Sequence, residues 1–167
     1  YRPSSCRKVL RAFVKELDGR KTLDGVRLSG CENGDIRWFN KSYSRAVLGD
    51  PLVRTRLGAL DIHSYCLHMP IPFFNNRMSF LKRFAKWMSK NYPDVPVNMS
   101  EWTHMQGGRD KGMDSALVTA NVMYEDLSVL NVISWQHWIA VSEVNYCDGL
   151  IYINLDDKTF EMTKRFY

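Results

Sequence analysis

The polar and apolar positions of the 167-residue chain fall into two alternating periods. Residues 5–18 put Leu10, Phe13, Val14 and Leu17 on one helical face, and Gly19 suits the position just past that end. A short strand, 26–29, follows and is closed by Gly30. Residues 40–49 predict a weaker helix through Ala46, Val47 and Leu48, and 57–65 predict a strand. Pro70-Ile71-Pro72 forbids regular structure, so a loop comes next. Residues 77–90 set Met78, Leu81, Phe84, Ala85 and Met88 on one face of a helix. Residues 95–102 read as a strand. The longest helix spans 110–130, with Met113, Leu117, Ala120, Met123, Leu127 and Leu130 in register. Strands follow at 131–138 and 150–155, and 159–167 starts a final helix.

Strands near 26, 58, 97 and 132 lie 32, 39 and 35 residues apart. A strand, crossover helix and parallel strand need about 30 residues. The pattern therefore predicts four consecutive βα units and an α/β fold with a parallel sheet. No low-complexity segment or linker interrupts it, so residues 1–167 form one structural unit.

Composition adds exclusions. The chain is 45% hydrophobic and 13% aromatic, enough for a real core and unlike a disordered segment. No apolar run approaches a membrane helix. The formal net charge is +5, but the basic residues are scattered without interleaved stacking aromatics, which argues against nucleic-acid binding and for solvated helix faces. Cys6, Cys31, Cys66 and Cys147 form no C-x-x-C pair and match no zinc spacing. Free, partly buried thiols are the simpler reading and one disulfide the alternative. His63, His68, His104 and His137 lack the i, i+4 placement of a zinc protease. There is no Gly-rich phosphate loop and no G-x-S-x-G elbow.

The strands end on chemistry: Cys31-Glu32-Asn33, then His63-Ser64-Tyr65, then Ser100-Glu101-Trp102, then Trp135-Gln136-His137-Trp138. Parallel α/β folds bind ligands at the carboxyl ends of their strands. Taken singly, a strand-end Glu is more often solvated or salt-bridged, a lone His hydrogen-bonded in the core, and a Trp used for packing. Four such clusters at four such ends predict one pocket. Indole rings beside carboxylates suit carbohydrate, because sugar faces stack on aromatic rings while carboxylates act at the anomeric centre.

At these residues the chain resembles glycoside hydrolase family 30, retaining β-glycosidases on a (β/α)8 TIM barrel with a small β-sandwich. The strongest part runs from "SEWTHMQGGRDKGMD" through "EDL" and "WQHW" to "DGLIYI", and is most similar to endo-β-1,6-galactanase-like members. The resemblance covers only the second half of that barrel, strands five to eight. It implies that Glu101 is the nucleophile. It implies that His63 and Tyr65 line the sugar site and can hydrogen-bond that nucleophile. It makes Trp135 and Trp138 an aromatic wall, sets Trp102 beside the nucleophile as a further sugar contact, and gives Glu32 a polar substrate contact. It likens "TFEMTKRFY" to the last barrel helix. It implies a poly- or oligosaccharide substrate and neither cofactor nor metal.

Two departures matter. The family's acid/base glutamate follows an asparagine, and this chain contains no Asn-Glu dipeptide. Glu143, in a polar loop, reads as a loop or substrate contact instead. The first four strands and the sandwich are also absent, so the expectation is a truncated catalytic barrel that is inactive alone. The alternative is a non-catalytic carbohydrate-binding remnant. Glucosylceramidase, xylanase and β-1,6-glucanase activities share the scaffold. Polysaccharide substrates point to an extracellular or periplasmic protein, with no signal visible. Asn40-Lys41-Ser42 and Asn98-Met99-Ser100 fit the glycosylation pattern, the second as a chance match on a buried strand.

Overall fold

The structure, a computed structural model, describes residues 2–34, 40–65 and 77–167. The segment containing Cys66, His68 and the Pro70–Pro72 run lies outside the described residues.

The four parallel strands are present, in the order β1-β2-β3-β4. They are β1 (Leu28–Asn33), β2 (Leu57–His63), β3 (Val97–Trp102) and β4 (Ser134–His137). Helix α1 (Pro3–Asp18) precedes them. Helices α2 (Asn40–Leu48) and α3 (Pro51–Arg54) join β1 to β2. Helix α4 (Arg77–Asn91) joins β2 to β3, and α5 (Met113–Glu125) leads toward β4. All three neighbouring pairs are parallel, as the 30-residue crossovers require.

The two faces of the sheet differ because the strands alternate. Leu60 and Ile62 of β2 and Val97 and Met99 of β3 are buried in one cluster. Val47, Leu48, Val53, Leu81, Phe84 and Met88 from the helices join them. Each such side chain contributes about 1.5–3 kcal/mol on burial. The intervening residues Ser29, Asp61 and Asn98 face each other instead. Ser29 donates to Asp61, and the Asn98 amide donates to it at 2.8 Å. Burial holds the Asp61 carboxyl above its usual range.

Four sequence expectations need correcting. The first strand does not stop at Ser29. It runs on through Gly30 to Asn33, with Cys31 buried in the core and its thiol pushed up to about 12, mainly by burial. Helix α5 is turned over: Ser115, Thr119 and Val122 are buried, while Met113, Leu117 and Tyr124 are 56%, 61% and 69% exposed. Polar partners decide this. Arg165 reaches Ser115, and buried Arg77 pairs with Glu125 at 2.6 Å and with Asp126. Arg77 is thus no solvated cation. On α1, Phe13 is likewise exposed, with Cys6, Val14 and Leu17 inward.

The chain after β4 also departs. The strand expected at 150–155 exists as β6 (Ile151–Asn154), but it belongs to a second, three-stranded sheet. It pairs in parallel with β5 (Val141–Ser142) and antiparallel with β7 (Thr159–Met162). The segment likened to a last barrel helix is therefore a hairpin strand. Asp157 drives the turn, accepting from the Thr159 backbone N–H at 3.1 Å and from its hydroxyl. Lys158 takes the left-handed conformation the turn needs, at φ 56°. No helix follows β4 among the described residues.

No helix of the described residues is long and apolar enough to cross a membrane. Cys6, Cys31 and Cys147 form no disulfide among the described residues.

Candidate active site

Three strand ends meet in one polar cluster. β2 delivers His63 and then Tyr65. β3 delivers Ser100 and Glu101. β1 delivers Glu32. Register makes this possible. Ile62 pairs with Met99, but His63 pairs with Glu101, so β3 carries an extra residue there. Such a bulge re-aims a side chain. Strict alternation from Val97 and Met99 would send Glu101 into the core. The bulge turns it toward His63 and Tyr65.

The Tyr65 phenol donates to Oε1 of Glu101 at 2.7 Å. Nδ1 of His63 lies 3.8 Å from the same oxygen. The other ring nitrogen, Nε2, lies 2.7 Å from Oε2 of Glu32. The Ser100 hydroxyl donates to that same Glu32 oxygen at 2.6 Å. The rings of His63 and Tyr65 meet edge to face, 5.7 Å apart at 88°. His63 is 10% exposed and Glu101 31%, so the nitrogen is sheltered while the carboxylate still opens to solvent. Burial first, then the hydrogen bond and charge of Glu101, push the Tyr65 phenol well above its usual range. Tyr65 therefore keeps its proton and remains a donor.

This arrangement suits a carboxylate that must be held ionised, oriented and reachable. Tyr65 holds one oxygen, with the His63 ring beside it, leaving the other to approach an electrophile. Among the described residues, no group of three or more His, Cys, Asp or Glu side chains could hold a metal ion.

The aromatic residues separate. Trp138, just past β4, is 48% exposed. Trp102 is fully buried and cannot offer a face to a sugar. Trp135 packs against the core, and its indole N–H donates to buried Asp126 at 3.1 Å. The rings of Trp102 and Trp135 lie 5.9 Å apart. Of these three rings, that of Trp138 is the most exposed. Glu143 is exposed after β5, where its carbonyl accepts from Arg109.

Asp61 was not among the strand-end clusters of the sequence, and Ser100 stood in one without an assigned role. The alternation of β2, with Leu60 and Ile62 inward, already set Asp61 and His63 on one face. Ser100 depended on the bulge, which leaves no mark in hydropathy.

Comparison with known proteins follows this geometry. The sequence profile of O-Glycosyl hydrolase family 30 matches residues 36–152. No curated protein sequence matches the chain. Among solved structures, it is similar to the catalytic domain of a GH30 xylanase C from Talaromyces cellulolyticus. That likeness has a TM-score of 0.64 at 11% identity, over 98% of this chain and 34% of that one. A conserved exported protein from Bacteroides fragilis gives 0.67 at 20% identity, over 93% and 38%. A family 30 subfamily 8 xylanase from Clostridium acetobutylicum gives 0.58 at 16%, over 99% and 34%. At these identities the likeness is one of fold. The chain spans about a third of the length of each.

Proposed function

This chain belongs to O-Glycosyl hydrolase family 30, and from that premise we propose that it is part of a retaining glycosidase acting on β-linked polysaccharide, with Glu101 as the nucleophile. The observation that carries the reading is the Glu101 carboxylate, held at one oxygen by the Tyr65 phenol at a strand end, with the His63 ring 3.8 Å away, and part-exposed at the same time.

The chemistry needs two carboxyl groups about 5–5.5 Å apart. Ionised Glu101 attacks the anomeric carbon and forms a glycosyl ester. The departing glycosidic oxygen takes its proton from a second carboxylic acid. Water then gives a proton to that residue's carboxylate and attacks the same carbon. The Glu101–sugar bond breaks, and Glu101 leaves as a carboxylate with the configuration retained. Tyr65 assists this second step by donating to the oxygen that regains charge. With no Asn-Glu in the sequence, we assign the acid/base role to a residue outside these four strands. The described chain alone is then inactive, and residues 1–167 act as one half of a barrel.

The substrate we favour is a β-1,6-galactan, on the resemblance carried by "GMD", "EDL" and "DGLIYI". Xylan is the second reading, favoured by the xylanase titles of two structural relatives. Either polymer suits a secreted protein, in keeping with the exported relative from Bacteroides fragilis. The test is Glu101→Gln in the whole protein, assayed on β-1,6-galactan, glucuronoxylan and β-1,6-glucan. Turnover falls by roughly four orders of magnitude or more if Glu101 is the nucleophile, while polysaccharide binding survives. Unchanged turnover overturns the assignment. Binding without turnover in the unsubstituted whole protein leaves a sugar-binding module built around Trp138.

A further inference from the structure

The sequence reading gave Glu32 a substrate contact. Its surroundings indicate a different task. We propose that Glu32 is a positioning residue, which fixes the orientation and proton placement of the His63 ring and through it the setting of Glu101. This rests on the reading of Glu101 as nucleophile.

Three observations carry it. One oxygen of Glu32, Oε2, serves both Ser100 of β3 and His63 of β2, at 2.6 and 2.7 Å. That oxygen is committed to the protein, although the side chain as a whole is 56% exposed. It pins the two strands that present His63 and Glu101 at the point where the bulge begins. Second, an ionised carboxylate can only accept, so the Nε2 of His63 that faces it carries a proton. The unprotonated Nδ1 then lies 3.8 Å from Oε1 of Glu101, beyond hydrogen-bond reach, so the ring sets Glu101 by its position and not by a bond. The Tyr65 ring, edge-on at 5.7 Å, holds the imidazole plane.

Third, Glu32 sits at φ 52°, in the left-handed region that a side chain with a Cβ rarely adopts. Strain of this kind persists where the surroundings over-determine it, and it gathers at functional positions. Glycine would suit this backbone better, so the carboxylate is kept against a local cost. The other charged group near it is Asp61. Glu32 helps hold that carboxyl above its usual range, although burial is the larger cause. Asp61, Ser100 and His63 border Glu32 on the strand side.

The test uses the whole protein with 15N-labelled histidine, and its probes are the ring nitrogens of His63, assigned by their loss in His63→Asn. The expected spectrum has a protonated Nε2. Glu32→Gln keeps it, because the amide oxygen accepts the same bond. Glu32→Ala and Glu32→Gly lose the fixed pattern and give mixed tautomers. Glu32→Gly relieves the φ strain that Glu32→Ala keeps and should melt above Glu32→Ala, so a changed pattern in still-folded Glu32→Gly is not unfolding. On β-1,6-galactotetraose or glucuronoxylan, whichever the whole protein cleaves, both variants lose kcat by up to about a hundredfold at nearly constant KM. Glu32→Gln regains most of it. An unchanged His63 pattern in Glu32→Ala overturns the inference. So does a rise in KM alone, which marks a substrate contact. Azide rescue of Glu32→Ala with release of a β-glycosyl azide overturns it too, since that marks an acid/base. The spectrum needs no turnover. It therefore fails separately from the Glu101 assignment, which unaltered turnover in Glu101→Gln would sink.

Discussion

The Tyr65 phenol and the Glu101 carboxylate are joined by a 2.7 Å hydrogen bond between adjacent strand ends. With Glu101 as the proposed nucleophile, its effect on a two-step hydrolysis is unequal. In the first step Glu101 loses its charge, so the donor is not needed. In the second step the carboxylate is regenerated, and the donor stabilises it. A hydrogen bond to a charged group contributes about 1.5–3 kcal/mol, or about tenfold to a hundredfold in rate. Tyr65→Phe in the whole protein should therefore slow the second step by that factor. The glycosyl-enzyme should accumulate, visible as a burst in rapid-quench kinetics and as a mass shift on the peptide carrying Glu101. Steady turnover without accumulation rules out the role.

The two tryptophans near β4 should part company under substitution. Trp138 is half exposed past the strand end, and Trp135 is packed against the core with its N–H on Asp126. Trp138→Ala should raise KM about threefold to tenfold, the range of one aromatic stacking contact, with little change in melting. Trp135→Ala should instead cost about 3 kcal/mol or more in folding. Urea unfolding and saturation kinetics on the pair decide it. A stability loss confined to Trp138 reverses the assignment.

The parts of this fold open to sequence reading were those whose polarity follows burial. In β2 the order Leu60, Asp61, Ile62, His63 alternates cleanly between core and polar face. In α4, Leu81, Phe84 and Met88 are buried as their spacing implied. Helix α5 shows the reverse. Its inward residues include Ser115 and Thr119, and the turn after it brings in Asp126. These are tolerated because Arg165 and Arg77 arrive from about 50 residues away. Hydropathy sees the apolar stripe of Met113, Leu117 and Leu127 but not the distant partners that outbid it.

The site was legible in composition and misread in parity. Glu101, His63 and Tyr65 belonged together by resemblance, and the structure brings them into contact. Trp102 and Trp135 went wrong for geometric reasons. The β3 bulge exchanges the faces of Glu101 and Trp102, and Trp135 pairs with core-facing Met99. The C-terminal hairpin was signalled by Asp156-Asp157-Lys158 between two strand-like runs. Because β7 is exposed along its length, no apolar face marked it.

The Arg77–Asp126 pair offers a sharper test of the polar face of α5. Asp126 is fully buried and accepts from Arg77, Ser64 and Trp135. Burial raises its carboxyl above the usual range against the pull of Arg77. Asp126→Ala leaves the buried guanidinium with Glu125 alone and takes the acceptor from Ser64 and Trp135, and should cost about 3 kcal/mol. Arg77→Met with Asp126→Leu removes both fully packed charges, leaves only the less buried Glu125 unpaired, and should cost less than the single change. Chemical denaturation of the three proteins checks the order. A double variant weaker than Asp126→Ala shows that the pair itself, and not the stranded charge, sets the stability.

Asp50 should govern part of the acid limb of stability. It caps α3, accepting from the backbone N–H of Leu52 at 3.1 Å and of Val53 at 3.3 Å, and it holds Arg11 of α1 at 2.7 Å. Burial pushes its carboxyl up, but Arg11 and the two N–H donors outweigh burial and hold it below the usual value. A carboxyl lowered in the folded state stabilises fully above its unfolded pKa, about 3.9. That contribution is lost as pH falls through the lower folded value. Asp50→Asn should therefore cost about 1–2 kcal/mol at neutral pH, as lost caps do. The gap to the parent protein should stay flat down to about pH 4 and close below it. Comparing the two proteins at each pH cancels the other titrating groups. A gap independent of pH down to the acid limit would place the contribution of Asp50 in shape alone, with its charge idle.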